Sequence, residues 1–279
     1  MYQCLAPGMI GVDQPFSTSI DLAVDAGFGG IQLSLEYLRE HGPDAVAATL
    51  DEHDLGRGSP GVPVRYDAPS EEYESGLERL QDIAPDLAAA GCTRLSTYVL
   101  SFSDERDFEE NFAYHVERLT PIAATLADHD IRLGLEYLGP ETLRADHDYE
   151  FIHTSAGMLD LCAAIEADNV GLLVDCWHWY TAGESVADLL ELSNDDIVDV
   201  HLNDAPERPR TEQIDDERAM PATTGVIDVA GFLGALDDIG YNGPVAVEPF
   251  SDELAARPDE EAVAETKASL DRAWDRAGL

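Results

Sequence analysis

Four short stretches of this chain end in residues that hold metals or move protons. RLGLEYLG carries Glu136, GLLVDCWHW carries Asp175, IVDVHLND carries His201 and PVAVEPF carries Glu248. In each, an apolar run stops at a carboxylate or an imidazole. One polar residue after one strand is an ordinary loop start. The same kind of residue at the same relative place in four successive runs is hard to obtain by chance. Three carboxylates and one imidazole buried together are costly without a cation. A divalent metal resolves the charge. Oxygen-rich ligation with one nitrogen suits Mn²⁺ first, then Mg²⁺ or Co²⁺, with Zn²⁺ also compatible.

Such residues act together only if the chain brings their strand ends to one place. Apolar runs near Tyr2–Leu5, Gly30–Leu33, Val62–Arg65, Thr93–Tyr98, Ile131–Leu135, Gly171–Val174, Ile197–Val200 and Val245–Val247 read as eight strands. Helical patterns lie between them. Phe108, Phe112, His115, Leu119, Ile122 and Leu126 recur at spacings that place them on one face, with Pro121 expected to kink or bound that helix. Another helix carries Tyr73, Leu77, Leu80, Ile83 and Leu87, and the last starts near Pro258. GLLV is apolar at every position, as a strand covered on both faces should be. Strand-then-helix repetition implies parallel strands, and eight units fit one α/β domain over residues 1–279, a single (β/α)8 TIM barrel. An open doubly wound sheet is the alternative, but no GxGxxG follows the first strand. In a barrel the four strand ends face one another around the C-terminal mouth, where barrel enzymes build their sites. The one long irregular stretch, Asn203 to Gly225, is of a length that is often functional.

The segments LGLEYLGP, NVGLLVDCWHWY, VDVHLNDA and VAVEPF resemble those of the xylose-isomerase-like barrel family of sugar isomerases, epimerases and their dehydratase relatives. The resemblance implies that Glu136, Asp175, His201 and Glu248 bind one metal. It implies that Glu136 and Glu248 also exchange a proton beside a substrate carbonyl, through a metal-bound enediolate. His178 matches a histidine that binds substrate oxygens, and Arg218 an arginine that grips substrate hydroxyls or a phosphate. A structural histidine and a loop salt bridge are the plainer readings of these two. Asp204 either supports the metal histidine or caps a loop, and Cys176 reads as a buried, inert thiol. Substrate choice falls to the Asn203–Gly225 loop and the early strand ends, including Gln32, Arg65 and Tyr98. The expected partner is a small sugar, polyol or sugar phosphate, in a sugar or sugar-phosphate isomerase or epimerase. A lyase of the inosose or dehydroshikimate dehydratase type fits the same motifs. An apurinic endonuclease of the same barrel lacks its extra ligands here, since Arg65 and Tyr98 stand where histidines are needed. A non-catalytic paralogue is disfavoured by the complete ligand set. The only lysine, Lys267, lies in the last helix, away from the barrel mouth, which argues against Schiff-base aldolase chemistry. The lysine that follows the first ligand glutamate in the two-metal xylose isomerases is absent after Glu136.

Asp and Glu total 57 against 16 Lys and Arg, a formal charge of −41 spread along the whole chain. Self-repulsion of this size is tolerated in halophiles, where molar salt shortens the Debye length to about 3 Å. The four cysteines form no CxxC pair, and no apolar run reaches membrane-spanning length. The expectation is a cytoplasmic protein of a high-salt cell, without a nucleic-acid or membrane partner and open to self-association as barrel enzymes often are.

Overall fold

A computed structural model describes all of residues 1–279. The eight barrel strands are β1 (Tyr2–Leu5), β2 (Gly30–Gln32), β3 (Gly56–Gly58), β4 (Arg94–Val99), β5 (Arg132–Tyr137), β6 (Val170–Asp175), β7 (Ile197–His201) and β8 (Pro244–Ala246). All pair in parallel, in the order β3-β2-β1-β8-β7-β6-β5-β4. The sheet closes just beyond β3, where Gly61 bridges Ser96 of β4 and the Val62 amide donates to the Ser96 carbonyl at 2.9 Å. This is a (β/α)8 barrel. No helix is long and apolar enough to cross a membrane.

The third strand lies earlier than its apolar signal at Val62–Arg65. The paired segment is Gly56-Arg57-Gly58, with no apolar run at all. Its glycines admit neighbours that a side chain would displace. A Cβ on Gly56 would lie 2.9 Å from the Tyr2 ring, and one on Gly58 2.4 Å from Cys4 Sγ. Arg57 donates to the carbonyls of Ala90, Leu55 and Ala47, so a charged residue holds the strand in place. Val64 instead packs over Gly76 in the helix Ser70–Ala89. Arg65, expected at a strand end, is exposed and paired with Asp67.

The helix carrying the Phe108 pattern runs unbroken from Phe108 to Ala127, with Pro121 inside it. Its buried face holds His115, Leu119, Ile122 and Leu126, but Phe108 is exposed, and buried Asn111 stands nearest the N-terminus. The last helix spans Asp259–Ala277 with Pro258 at its N-cap, as expected.

Leu, Ile and Val on the outer face of the sheet pack under the helices and form the main core. The barrel interior is lined by smaller and more polar groups, among them Cys4, Ala6, Ala246, Ser59, Ser96 and Asp199. Between β6 and β7 the register slips, pairing Leu172 with Ile197 and then Leu173 with Asp199. The extra residue is Val198. It packs against Gly134 and Gly171, where added Cβ atoms would lie 3.2 Å and 3.1 Å from its side chain. This bulge brings His201 level with Asp175. A Cβ on Gly171 would also sit 2.6 Å from the Asp196 carbonyl oxygen, so backbone must move to admit it. Gly171→Ala should therefore lower stability by about 1–3 kcal/mol, measured as a reduced urea midpoint at fixed salt.

Candidate metal centre at the barrel mouth

Strand alternation aims the four residues inward. Glu136 lies within β5, Asp175 and His201 end β6 and β7, and Glu248 sits two residues beyond β8. Each offers one ligand atom, and these atoms all lie within 4.8 Å of one another. Glu136, Asp175 and His201 are buried and Glu248 nearly so. His201 Nδ1 is 3.7 Å from Glu136 Oε1 and 3.5 Å from Glu248 Oε2, too far for good hydrogen bonds. Glu136 Oε1 and His201 Nδ1 are buried and have no hydrogen-bond partner. Two orphaned ligand-type atoms amid three carboxylates are what a divalent cation would satisfy, so the donor set fits a single metal of the Mn²⁺, Mg²⁺, Co²⁺ or Zn²⁺ type.

Neighbouring residues hold Asp175 and the Glu248 backbone in place. Asp175 caps the helix Cys176–Ala182, its Oδ1 accepting the Trp177 amide at 2.7 Å. Asn203 Nδ2 donates to both Asp175 oxygens at 3.2 and 3.1 Å, while Asn203 Oδ1 accepts the Glu248 amide at 3.2 Å. One amide side chain thus ties β6 to the segment after β8. Asn203 carries no charge to mark it in the sequence, although the alternation Asp199-x-His201-x-Asn203 puts it on the same inward row as the histidine.

Arg218 reaches into the centre from the long loop. Its side chain is 1% exposed, and Nη1 donates to Asp175 Oδ2 at 2.7 Å and to Glu248 Oε2 at 2.9 Å. Asp215, also missed because loops carry no period, accepts from Nε through its carbonyl at 2.9 Å and from Nη2 through Oδ1 at 3.0 Å. The salt bridge expected of Arg218 is therefore made with the site's own carboxylates.

Charge separates the two glutamates. Burial raises the Glu136 carboxyl well above the usual range, assisted by Glu248 and opposed by His201. Burial also pushes Glu248 upward, but His201 and Arg218 outweigh it and hold Glu248 low. Burial lowers the His178 imidazole, and Arg218 and His201 lower it further, so the ring is neutral. The Gly139 amide donates to His178 Nδ1 at 3.2 Å, which places the ring proton on Nε2. That nitrogen lies 3.3 Å from Arg218 Nη2. Two N–H donors therefore converge with no acceptor between them.

Cys176 is fully buried, its thiol donating to the Asn203 carbonyl at 3.0 Å, and burial raises its pKa far above the usual thiol value. Of the early strand ends, Gln32 donates to the Ser59 carbonyl and Tyr98 stays half exposed. A cavity of about 560 Å³ lies between the loops after β1 and β2, with Gln32 in its wall and none of the four ligands.

Asp204 proves to be a loop staple. It is fully buried and accepts the amides of Ala205, Thr224, Gly225 and Ile227 at 2.8–3.0 Å, closing the loop that carries Asp215 and Arg218.

The sequence model of the family described as "Xylose isomerase-like TIM barrel" matches residues 20–273. Among curated proteins, the inosose isomerase of Halalkalibacterium halodurans is 28% identical over 152 residues, covering 54% of this chain and 51% of that protein. The match thus spans about half the length of that isomerase. The inosose dehydratase of Lacticaseibacillus casei is 23% identical over 269 residues, covering 91% of this chain and 88% of that protein. Among solved structures, a xylose isomerase domain protein from Alicyclobacillus acidocaldarius superposes with a TM-score of 0.86 at 28% identity, covering 99% of each chain.

Asp204→Ala should leave the amides of Ala205, Thr224, Gly225 and Ile227 without their acceptor, two of them buried, and lower stability by about 2–4 kcal/mol. Hydrogen exchange read by mass spectrometry should show lost protection in the peptides holding residues 205 and 224–227. Unchanged protection there would contradict the staple.

Proposed function

The chain belongs to the xylose isomerase-like TIM barrel family, and from that premise we propose that it is a divalent-metal-dependent isomerase or epimerase of a sugar, polyol or sugar phosphate. The observation that carries this reading is the pair Glu136 and Glu248, both in one cluster with Asp175 and His201 and driven toward opposite protonation states. The four residues hold the metal, Mn²⁺ before Mg²⁺, Co²⁺ or Zn²⁺. When bound, that ion stabilises negative charge developing on a substrate carbonyl and its neighbouring hydroxyl. Glu248, kept ionised by Arg218 and His201, is suited to take a proton from the carbon beside the carbonyl. Glu136, whose burial favours its protonated form, is suited to return one. His178 Nε2–H and the facing Arg218 Nη2–H supply the donor pair for a substrate oxygen. Asn203 fixes the spacing of Asp175 and Glu248.

A dehydratase is the second reading. It is favoured by the match that covers 88% of the inosose dehydratase. The same proton abstraction then ends in loss of a β-hydroxyl.

The metal-loaded protein, incubated with ketoses, inososes and their phosphates in deuterated water, should place deuterium on the carbon beside the carbonyl. Water loss without an isomeric product would assign the dehydratase. No binding of any divalent metal would remove both readings. Glu248→Gln should slow exchange by about 10²–10⁴-fold. His178→Ala should lose about tenfold, mainly through KM. Equal losses in the two variants would contradict these roles.

A further inference from the structure

We propose that Asp215 restricts this site to uncharged substrates, a neutral ketose or cyclic polyol ketone in place of a phosphate ester or a carboxylate. The inference rests on the function proposed above and narrows its substrate class.

The guanidinium of Arg218 is the one cation buried among the ligands, and its donors are spent. A guanidinium has five N–H groups, and an anion is best held by two parallel ones. Here Nε–H faces the Asp215 carbonyl, the two Nη1 hydrogens face Asp175 and Glu248, and one Nη2 hydrogen faces Asp215 Oδ1. A single N–H remains, directed at His178. Rings flank the guanidinium carbon as well, Phe250 at 4.5 Å and Trp177 at 5.6 Å from their centroids. One N–H beside His178 Nε2–H can hold a hydroxyl or carbonyl oxygen. It cannot fork a phosphate or a carboxylate.

The charge count agrees. Asp175, Glu248 and Asp215 set three carboxylates against one guanidinium, so Arg218 presents no surplus positive charge to an anionic substrate. Of the other arginines on the mouth-side loops, Arg65 pairs with Asp67 and Arg208 with Glu217, Arg144 donates through Nη1 to the Gly139 carbonyl, and Arg210 is exposed beside Gly183. Asp215 is the member of the set that is not a candidate metal ligand. Its side chain is 25% exposed, and Oδ1 lies 3.8 Å from His178 Nε2. It therefore neutralises Arg218 beside the two groups proposed to meet the substrate.

The test uses the metal-loaded full chain, with sulfate as an anion probe followed by calorimetry, and deuterium exchange on matched neutral and phosphorylated ketoses. Wild type should favour the neutral ketose by at least about tenfold in kcat/KM. Asp215→Asn should bind sulfate at least about fivefold more tightly and shift the ketose ratio toward the phosphate. Asp215→Glu should restore wild-type selectivity, which a merely structural loss would not allow. Sulfate binding equal in wild type and Asp215→Asn, or a wild-type preference for the phosphorylated ketose, would overturn the proposal. If sulfate affinity rises in Asp215→Asn while no ketone exchanges deuterium in any variant, the charge gate stands and the proposed reaction falls.

Discussion

Holding Glu136, Asp175 and Glu248 within one small buried volume is the constraint on which the mouth of this barrel depends. Like charges at such distances repel strongly where water is scarce. Two devices answer the repulsion in the protein itself. Arg218 lies between Asp175 and Glu248, and burial drives Glu136 toward its neutral form. Neither device reaches the orphaned Glu136 Oε1 and His201 Nδ1. Those two atoms are the ones a bound cation would satisfy.

The scaffold serves the same end. Parallel strands would not bring Asp175 and His201 level without the bulge at Val198, and the bulge needs the bare backbones of Gly134 and Gly171. Asn203 then links the end of β6 to the turn after β8. The centre is built mostly on strand ends, with only Arg218 and Asp215 supplied by a loop. Strand-borne groups make up the candidate metal cluster, and the loop-borne Arg218 and Asp215 set the charge beside it.

How much of this could be read from the chain depends on whether a residue belongs to a period. Glu136, Asp175, His201 and Glu248 were legible because each interrupts an apolar run at a comparable place, and seven of the eight strands were legible from the runs themselves. The third strand was not, since Gly56-Arg57-Gly58 owes its place to the Tyr2 ring and to carbonyls that receive Arg57. Asn203 lay within reach of a period-two reading from His201. Asp215 did not, because a loop residue's direction is set by contacts made in three dimensions. Arg218 was identified, but its inward turn onto Asp175 and Glu248 follows only from a loop whose two ends meet at Asp204.

That meeting point has a wider consequence. Because one buried carboxylate gathers the amides at both ends of the loop, residues 206–223 form a cassette with fixed attachment points. The four candidate ligands lie outside the cassette, and Arg218 and Asp215 lie inside it. Exchanging this cassette would alter the charge beside Glu248 and the contacts offered to a substrate in one step, while leaving the strands and the four inward side chains where they stand.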